Sequence, residues 1–434
     1  MTVSDSHPSA DSLVYPPYCS SMRLNSAGRP VVTSFPFLLS TFFLFTFYWL
    51  FRYCQRVSFA DPTSLFFDPA RGYQRHYSLQ RQHEAEEFIN NADHSFFRPQ
   101  AGTKAPRLCV GIPTVAREGD SYLGATVGSL LAGLNATERA ELHVAVLIAH
   151  SLPSKHAVFQ EAWLEHSVDK VLVYNISGPV FSNLTRWEKD RTFGKKGLFD
   201  YVYVLQYCAT TGAEWIAMIE DDTLAVEGWY PRAVEALRIV NDQMEGSKHG
   251  DWLYLRLFFT EEFLGWNIEN LPYYLTMSAM LMMVVGLSLL LLRHLAFNRY
   301  LSKPFIAITT FIYTPSFILL YFAAGRLTVL PLHPGVHKMP RYGCCGQGLV
   351  FPCATALRAA SFLTQKGEGF VDELLEAWAN QEGMVRWAVV PSLLQHIGMH
   401  SSKGDDFGSK AEWGRSVAEK IWSFGFEQHG DSRS

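Results

Sequence analysis

The triplet Glu220-Asp221-Asp222 stands at the end of the apolar run Trp215-Ile216-Ala217-Met218-Ile219. That run reads as a fully buried strand, with the acids where it leaves the core. Side chains alternate along a strand, so Glu220 and Asp222 point the same way, roughly 7 Å apart along it. Two carboxylates on one face, at the carboxyl end of a parallel strand, suit a hard divalent cation such as Mn2+. A cation there can neutralise the diphosphate of a nucleotide-sugar. Taken alone, the triplet reads equally well as a solvated acidic turn.

A second constellation lies far downstream in Pro391-Ser392-Leu393-Leu394-Gln395-His396-Ile397-Gly398-Met399-His400-Ser401-Ser402-Lys403. His396 or His400 is a candidate third metal ligand, and Ser402 and Lys403 suit phosphate oxygens. A lone histidine is more often structural; a His-rich turn on the same chain as an acidic strand end says more. Between the two, Gly369-Phe370-Val371-Asp372-Glu373-Leu374-Leu375 opens a helix with two acids in its first turn. Such acids also serve the helix dipole. The functional reading makes Asp372 the general base that deprotonates an acceptor hydroxyl, with Glu373 beside it.

Three loops complete the candidates. The strand Val110 to Val115 leads into Ala116-Arg117-Glu118, the usual place for a nucleotide base and ribose in a parallel sheet. This makes Thr114, Val115 and Arg117 donor-binding candidates, although Arg117 could simply meet a surface acid. Phe193-Gly194-Lys195-Lys196-Gly197 is a basic, glycine-flanked loop whose amides and Lys195 could approach a diphosphate. Its spacing is not that of a P-loop. Tyr342-Gly343-Cys344-Cys345-Gly346-Gln347-Gly348 reads as a tight loop in which Gly346 and Gln347 floor a sugar pocket, or as a disulfide-locked turn.

The elements that must position these residues alternate from Arg107 onward. Strands are expected at 108–113, 142–149, 170–174, 215–219 and 252–259. Helices are expected at 119–134, 154–166, in the second half of 187–211, and at 229–241. Alternation of this kind implies an α/β fold, a mostly parallel sheet with helices on both faces.

The chain is 434 residues long with a net charge of −4, which gives no electrostatic case for nucleic-acid binding. Three segments are far more apolar than any soluble element: Thr33 to Phe51, Leu271 to Leu292, and Phe305 to Ala324 with Pro315 inside. The first reads as an uncleaved anchor in preference to a signal peptide, because it is long and ends in Trp49, Phe51 and Arg52. The other two form a hairpin whose short connection carries Arg293, His294, Arg299 and Lys303. The positive-inside rule puts that connection in the cytosol and the flanking segments in the lumen. The sequons at Asn135, Asn175 and Asn183 fall in the region so assigned. Residues 1–32 read as a disordered cytosolic tail, and 53–105 as a lumenal stem. Cys344, Cys345 and Cys353 are candidates for a vicinal or short-loop disulfide, whereas Cys109 and Cys208 sit in apolar runs and read as core residues.

An α/β pattern ending in Glu220-Asp221-Asp222 resembles a GT-A glycosyltransferase, whose metal motif is usually D-x-D; here Glu takes the first position. A single anchor, a stem, and a GT-A domain split by a membrane hairpin resemble the post-GPI-attachment N-acetylgalactosamine transferase family, over roughly residues 34–430. The Cys344-Cys345 pair also fits that family. The stretch Gln395 to Ser402 is similar to the late motif of N-acetylglucosaminyltransferase IV enzymes, and Val371 to Leu375 to their base-bearing segment. The resemblance implies a Golgi membrane enzyme with a lumenal catalytic domain, a UDP-sugar donor and a GPI glycan as acceptor. It further implies an inverting single displacement in which Asp372 is the base and His396 or His400 meets metal or diphosphate. The alternatives are a Golgi transferase acting on N-glycans or glycolipids, and a three-span receptor or transporter subunit without activity. The second span lacks any ionisable residue inside it, which argues against transport.

Overall fold

The computed structural model describes residues 31–91, 105–117, 121–178, 180–245, 251–298, 300–340, 345–399, 419 and 421–429. Residues 1–30 of the tail expected at 1–32, and the candidates Cys344, His400, Ser402 and Lys403, lie outside the described residues, while Val31 and Val32 already belong to the first helix. Two compact units emerge: residues 1–53 with 272–320, and residues 54–271 with 321–434.

The first unit holds the apolar helices. Among the described residues, three helices are long and apolar enough to cross a membrane, over Pro36–Val57, Glu261–Leu295 and Lys303–Ala323. Pro315 removes a backbone donor from the third, and a widened π-type turn at Thr309–Tyr313 precedes it. Thr314 Oγ1 donates to the Thr309 carbonyl, 2.9 Å away, which also accepts from Thr314 N across the widened turn. Gly286 lets the second and third helices approach closely, since a Cβ there would lie 3.2 Å from Thr310 Cγ2. Phe43 stacks on Tyr313 with ring centroids 5.2 Å apart.

The second unit is built on an eight-stranded sheet. Its strands are β1 (Leu108–Thr114), β2 (Leu142–Ile148), β3 (Lys170–Leu172), β4 (Trp215–Ile219), β6 (Trp252–Arg256), β7 (Gly335–Lys338), β8 (Gly348–Pro352) and β9 (Val385–Val390). The order across the sheet is β3-β2-β1-β4-β8-β6-β9-β7. β1 pairs in parallel with both β2 and β4, while β8 runs antiparallel to β4 and β6. The strand run Trp215–Ile219 is buried at every position, as its unbroken apolar sequence requires. The chain order reverses between β1 and β4, and ligands of open α/β sheets bind beyond the carboxyl ends of strands at such a point. β5 (Thr223–Ala225) and β10 (Leu394–His396) form a separate antiparallel pair.

The membrane hairpin enters between β6 and β7, yet both strands belong to one sheet. Its two ends are stitched together inside the globular unit. Trp266 Nε1 donates to the Phe322 carbonyl at 3.0 Å, and the two rings pack edge to face at 4.8 Å.

Several elements depart from the sequence expectation. The stretch expected as a stem belongs to the globular unit: the buried Arg81 donates to the carbonyls of Ala225 and Ser129, at 3.0 and 3.2 Å. Helix Tyr77–Asn91 packs so closely on helix Leu123–Leu131 that a Cβ on Gly128 would collide with the Ala85 carbonyl. Residues 154–166 give only a short turn and the helix Ala162–Ser167. The basic segment 193–197 is not a loop but the first turn of helix Phe193–Thr210. Cys109 and Cys208 are not merely core residues: they form a disulfide that joins β1 to that helix, with Cα atoms 5.6 Å apart. Cys353 is a free thiol, so it takes no part in the expected short-loop bridge. Cys345 is disulfide-bonded, to a partner outside the described residues.

Candidate active site

A cavity of about 400 Å³ opens beyond the carboxyl ends of β1 and β4, a size typical of small-molecule sites. Val115 and Arg117 line it from the β1 loop, Glu220, Asp221 and Asp222 from the end of β4, and Gly346 and Gln347 from the turn before β8. Asp372 and His396 also face it, so residues from both sides of the membrane insertion share one wall.

The acids divide their labour. Asp221 is a tie between strands: it accepts from Thr114 Oγ1 at 2.5 Å and from Arg117 Nη2 at 2.6 Å. Its backbone carbonyl accepts from Thr126 Oγ1 at 2.8 Å. Thr114 is buried behind the cavity and acts there on the acid rather than on the cavity itself. The same Arg117 nitrogen donates to Asp222 Oδ2 at 2.9 Å, so one guanidinium bridges two carboxylates. Glu220 is held by Gln347, whose carbonyl accepts from Glu220 N and whose Nε2 donates to Glu220 Oε2, both at 3.1 Å.

His396 stands at the end of β10 in register with Thr223 of β5, and its Nε2 lies 3.4 Å from Asp222 Oδ2. Gly398 follows because nothing larger fits: a Cβ there would collide with Asp222 Oδ2 and lie 2.9 Å from His396 Nε2.

The charges are strongly perturbed. Burial, then the neighbouring Asp222, pushes Glu220 up to about 7. Burial also lifts Asp221, to about 6, against the pull of Arg117. Burial alone would raise Asp222 too, but His396 and Arg117 hold it down at about 2. Burial would lower His396, and Asp222 raises it above the usual imidazole range. Asp222 is therefore the committed anion of the triplet, and Glu220 is poised to lose its proton when a cationic centre approaches.

Among the described residues, no three His, Cys, Asp or Glu side chains converge as a metal cage. The donor set nonetheless fits a cation held partly by substrate. Asp222 Oδ1 is buried without a hydrogen-bond partner. Mg2+-like ions are commonly bound by one or two carboxylates plus substrate phosphates, not by a complete protein cage.

Other candidates fall elsewhere. Asp372 is half-buried on the cavity wall, in contact range of Gly346, where a Cβ would lie 4.0 Å from Asp372 Cβ. Glu373 is exposed and does not line the cavity. Lys195 is half-buried and pairs with Glu368 at 3.4 Å. The buried cation of that segment is its neighbour Lys196, which donates to Asp200 Oδ2 and the Ala149 carbonyl at 2.8 Å and to Tyr174 Oη at 2.6 Å. Sequence reasoning missed this network; the i,i+4 spacing of Lys196 and Asp200 on a helix is the signal that could have found it. Asp200 and Tyr201 line the cavity as well and were not singled out.

A family model described as GPI-N-acetylgalactosamine transferase PGAP4 matches residues 108–395 of the 434, from the first residue of β1 into β10. The matched span includes the acidic triplet, the membrane insertion and Asp372. The chain therefore belongs to the GPI-N-acetylgalactosamine transferase PGAP4 family and is a glycosyltransferase.

Proposed function

We propose that the protein transfers N-acetylgalactosamine from a UDP-linked donor to the glycan of GPI anchors, with inversion at the anomeric carbon. The observation that carries this reading is the convergence of Glu220, Asp222, His396, Gly346 and Asp372 on one cavity. The reaction is a single displacement. The acceptor hydroxyl oxygen bonds to the anomeric carbon as that carbon's bond to the diphosphate oxygen breaks. The hydroxyl proton passes to the Asp372 carboxylate. Asp222, with Glu220, would hold a divalent cation, which when bound supplies positive charge to the departing diphosphate. Arg117 contributes further positive charge beside Asp221 and Asp222. Gly346 has no side chain, so the sugar can approach the backbone above Glu220.

The three apolar helices support work at a membrane, where a GPI-anchored acceptor is held. The sequons and the charge of the hairpin connection support a lumenal catalytic unit, for which the Golgi is the place proposed. The test is a knockout cell line whose GPI glycans are analysed by mass spectrometry. Loss of one N-acetylhexosamine, restored by the wild-type gene and not by Asp372→Asn, is the expected result. GPI glycans unchanged by the knockout would sink the acceptor assignment.

A further inference from the structure

Tyr201 lines the same cavity as Glu220 and Asp372, and its hydroxyl is buried with no hydrogen-bond partner. Buried hydroxyls in folded proteins are almost always partnered, so an orphan on a residue of the cavity wall asks for a ligand. The helix that carries it is fixed against β1 at two points. Cys208 is bonded to Cys109. One turn earlier, Val204 lies over Gly111, where any Cβ would collide with Val204 Cγ1. Tyr201 and Gly197 continue the same helix face toward the cavity. At Gly197 a Cβ would meet open space, so the wall there recedes and leaves room beside the phenol. The hydroxyl is thus held in place by a covalent bond and a close helix–strand contact, and among the described residues no group uses it.

We propose that the Tyr201 hydroxyl donates a hydrogen bond to the acetamido carbonyl oxygen of the donor sugar, and so sets the preference for an N-acetylhexosamine. The proposal rests on the reading that the acidic triplet and Asp372 bracket the reacting carbon. In that arrangement the diphosphate leaves on the Glu220 side and the acceptor hydroxyl arrives on the Asp372 side. Tyr201 lines the cavity together with both acids, within which the substituent on C2, next to the anomeric carbon, must sit. Burial first, and then the charges of Glu220, Tyr254 and Asp372, keep the phenol neutral and therefore a donor. An amide carbonyl is the strongest neutral acceptor that such a sugar offers, and an anionic ligand group would be repelled by the same acids.

The test uses the full-length protein in detergent, wild type against Tyr201→Phe, with UDP-N-acetylgalactosamine and with UDP-galactose, which lacks the acetamido group. The expected result is a roughly ten- to hundredfold fall in kcat/KM for the acetamido donor only. Binding of UDP itself should be unchanged. An equal loss with both donors, or no loss with either, overturns the proposal. If the variant does not fold, the wild type decides: its Kd for the acetamido donor should be at least about tenfold lower than for UDP-galactose, and equal affinities overturn the proposal. A wild type that discriminates in binding but transfers neither sugar would count against the transferase reading and leave the Tyr201 contact standing.

Discussion

His396 Nε2 lies 3.4 Å from Asp222 Oδ2, although the membrane insertion separates the two residues in the chain. The small β5–β10 pair makes the meeting possible by setting His396 opposite Thr223. Ile397 N then donates to the Asp222 carbonyl at 2.9 Å and locks the register beside the acid. The pair fixes charge as well as position, with the imidazole raised and Asp222 held at about 2.

Replacing His396 with Asn removes that positive charge and leaves Arg117 as the remaining partner of Asp222. The expected loss is roughly 10- to 100-fold in kcat/KM, the usual scale for groups that orient a ligand-binding side chain. Stability should fall by up to about 3 kcal/mol, less than for a pair left wholly unpartnered. Steady-state kinetics and thermal denaturation read both.

Gly398→Ala tests how closely the backbone must pass the acids. The added methyl would collide with Asp222 Oδ2, so either the acid or the β10 turn must move. A displacement of about 1 Å at a catalytic group can cost about 100-fold in rate. Transfer should drop on that scale while circular dichroism remains that of the wild type.

His150 supplies a pH dependence outside the acidic triplet. Its Nε2 accepts from Ala116 N at 2.8 Å and so holds the loop that carries Arg117. Burial, aided by Lys196, lowers it to about 4, against an ordinary 6.5. Between those values the unfolded chain binds more protons, so stability rises with pH. The contribution is complete above about pH 6.5 and is lost as pH falls toward 4. Its size is about 1–2 kcal/mol after discounting for partial exposure. Measured from pH 7.5 down to 5, the melting temperature of the wild type relative to His150→Gln should fall as the pH falls.

The Cys109–Cys208 bridge closes a long loop, with a sequence separation of 99. Cys109→Ala with Cys208→Ala should cost about 2–4 kcal/mol of stability. The variant should also loosen helix Phe193–Thr210 from β1. Hydrogen exchange across residues 193–210 should rise in the variant and remain low in the wild type.

The sequence made some of this legible for physical reasons. A short, unbroken apolar run ending in acids reads as a buried strand delivering charge to its end, and β4 is that strand. The alternation around it carried the α/β fold, and the apolar lengths carried the three helices. Pairing was not legible. Cys109 and Cys208 each sit in an apolar run, and periodicity says nothing of which helix crosses which strand. The segment 193–197 looked like a loop because two glycines flank its lysines. Burial of Lys196 against Asp200 and Tyr174 stabilises the helix there instead. Tyr201 is one aromatic in an apolar helix, and its orphan hydroxyl becomes visible only once the cavity is formed.

The central claim is that Asp372 takes the acceptor proton in a cavity whose acids hold the diphosphate. The most direct measurement is transfer from UDP-N-acetylgalactosamine to a GPI glycan by purified Asp372→Asn, with UDP-sugar binding measured on the same sample. Transfer should fall at least about 100-fold while binding is preserved. Transfer at the wild-type rate by Asp372→Asn would contradict it.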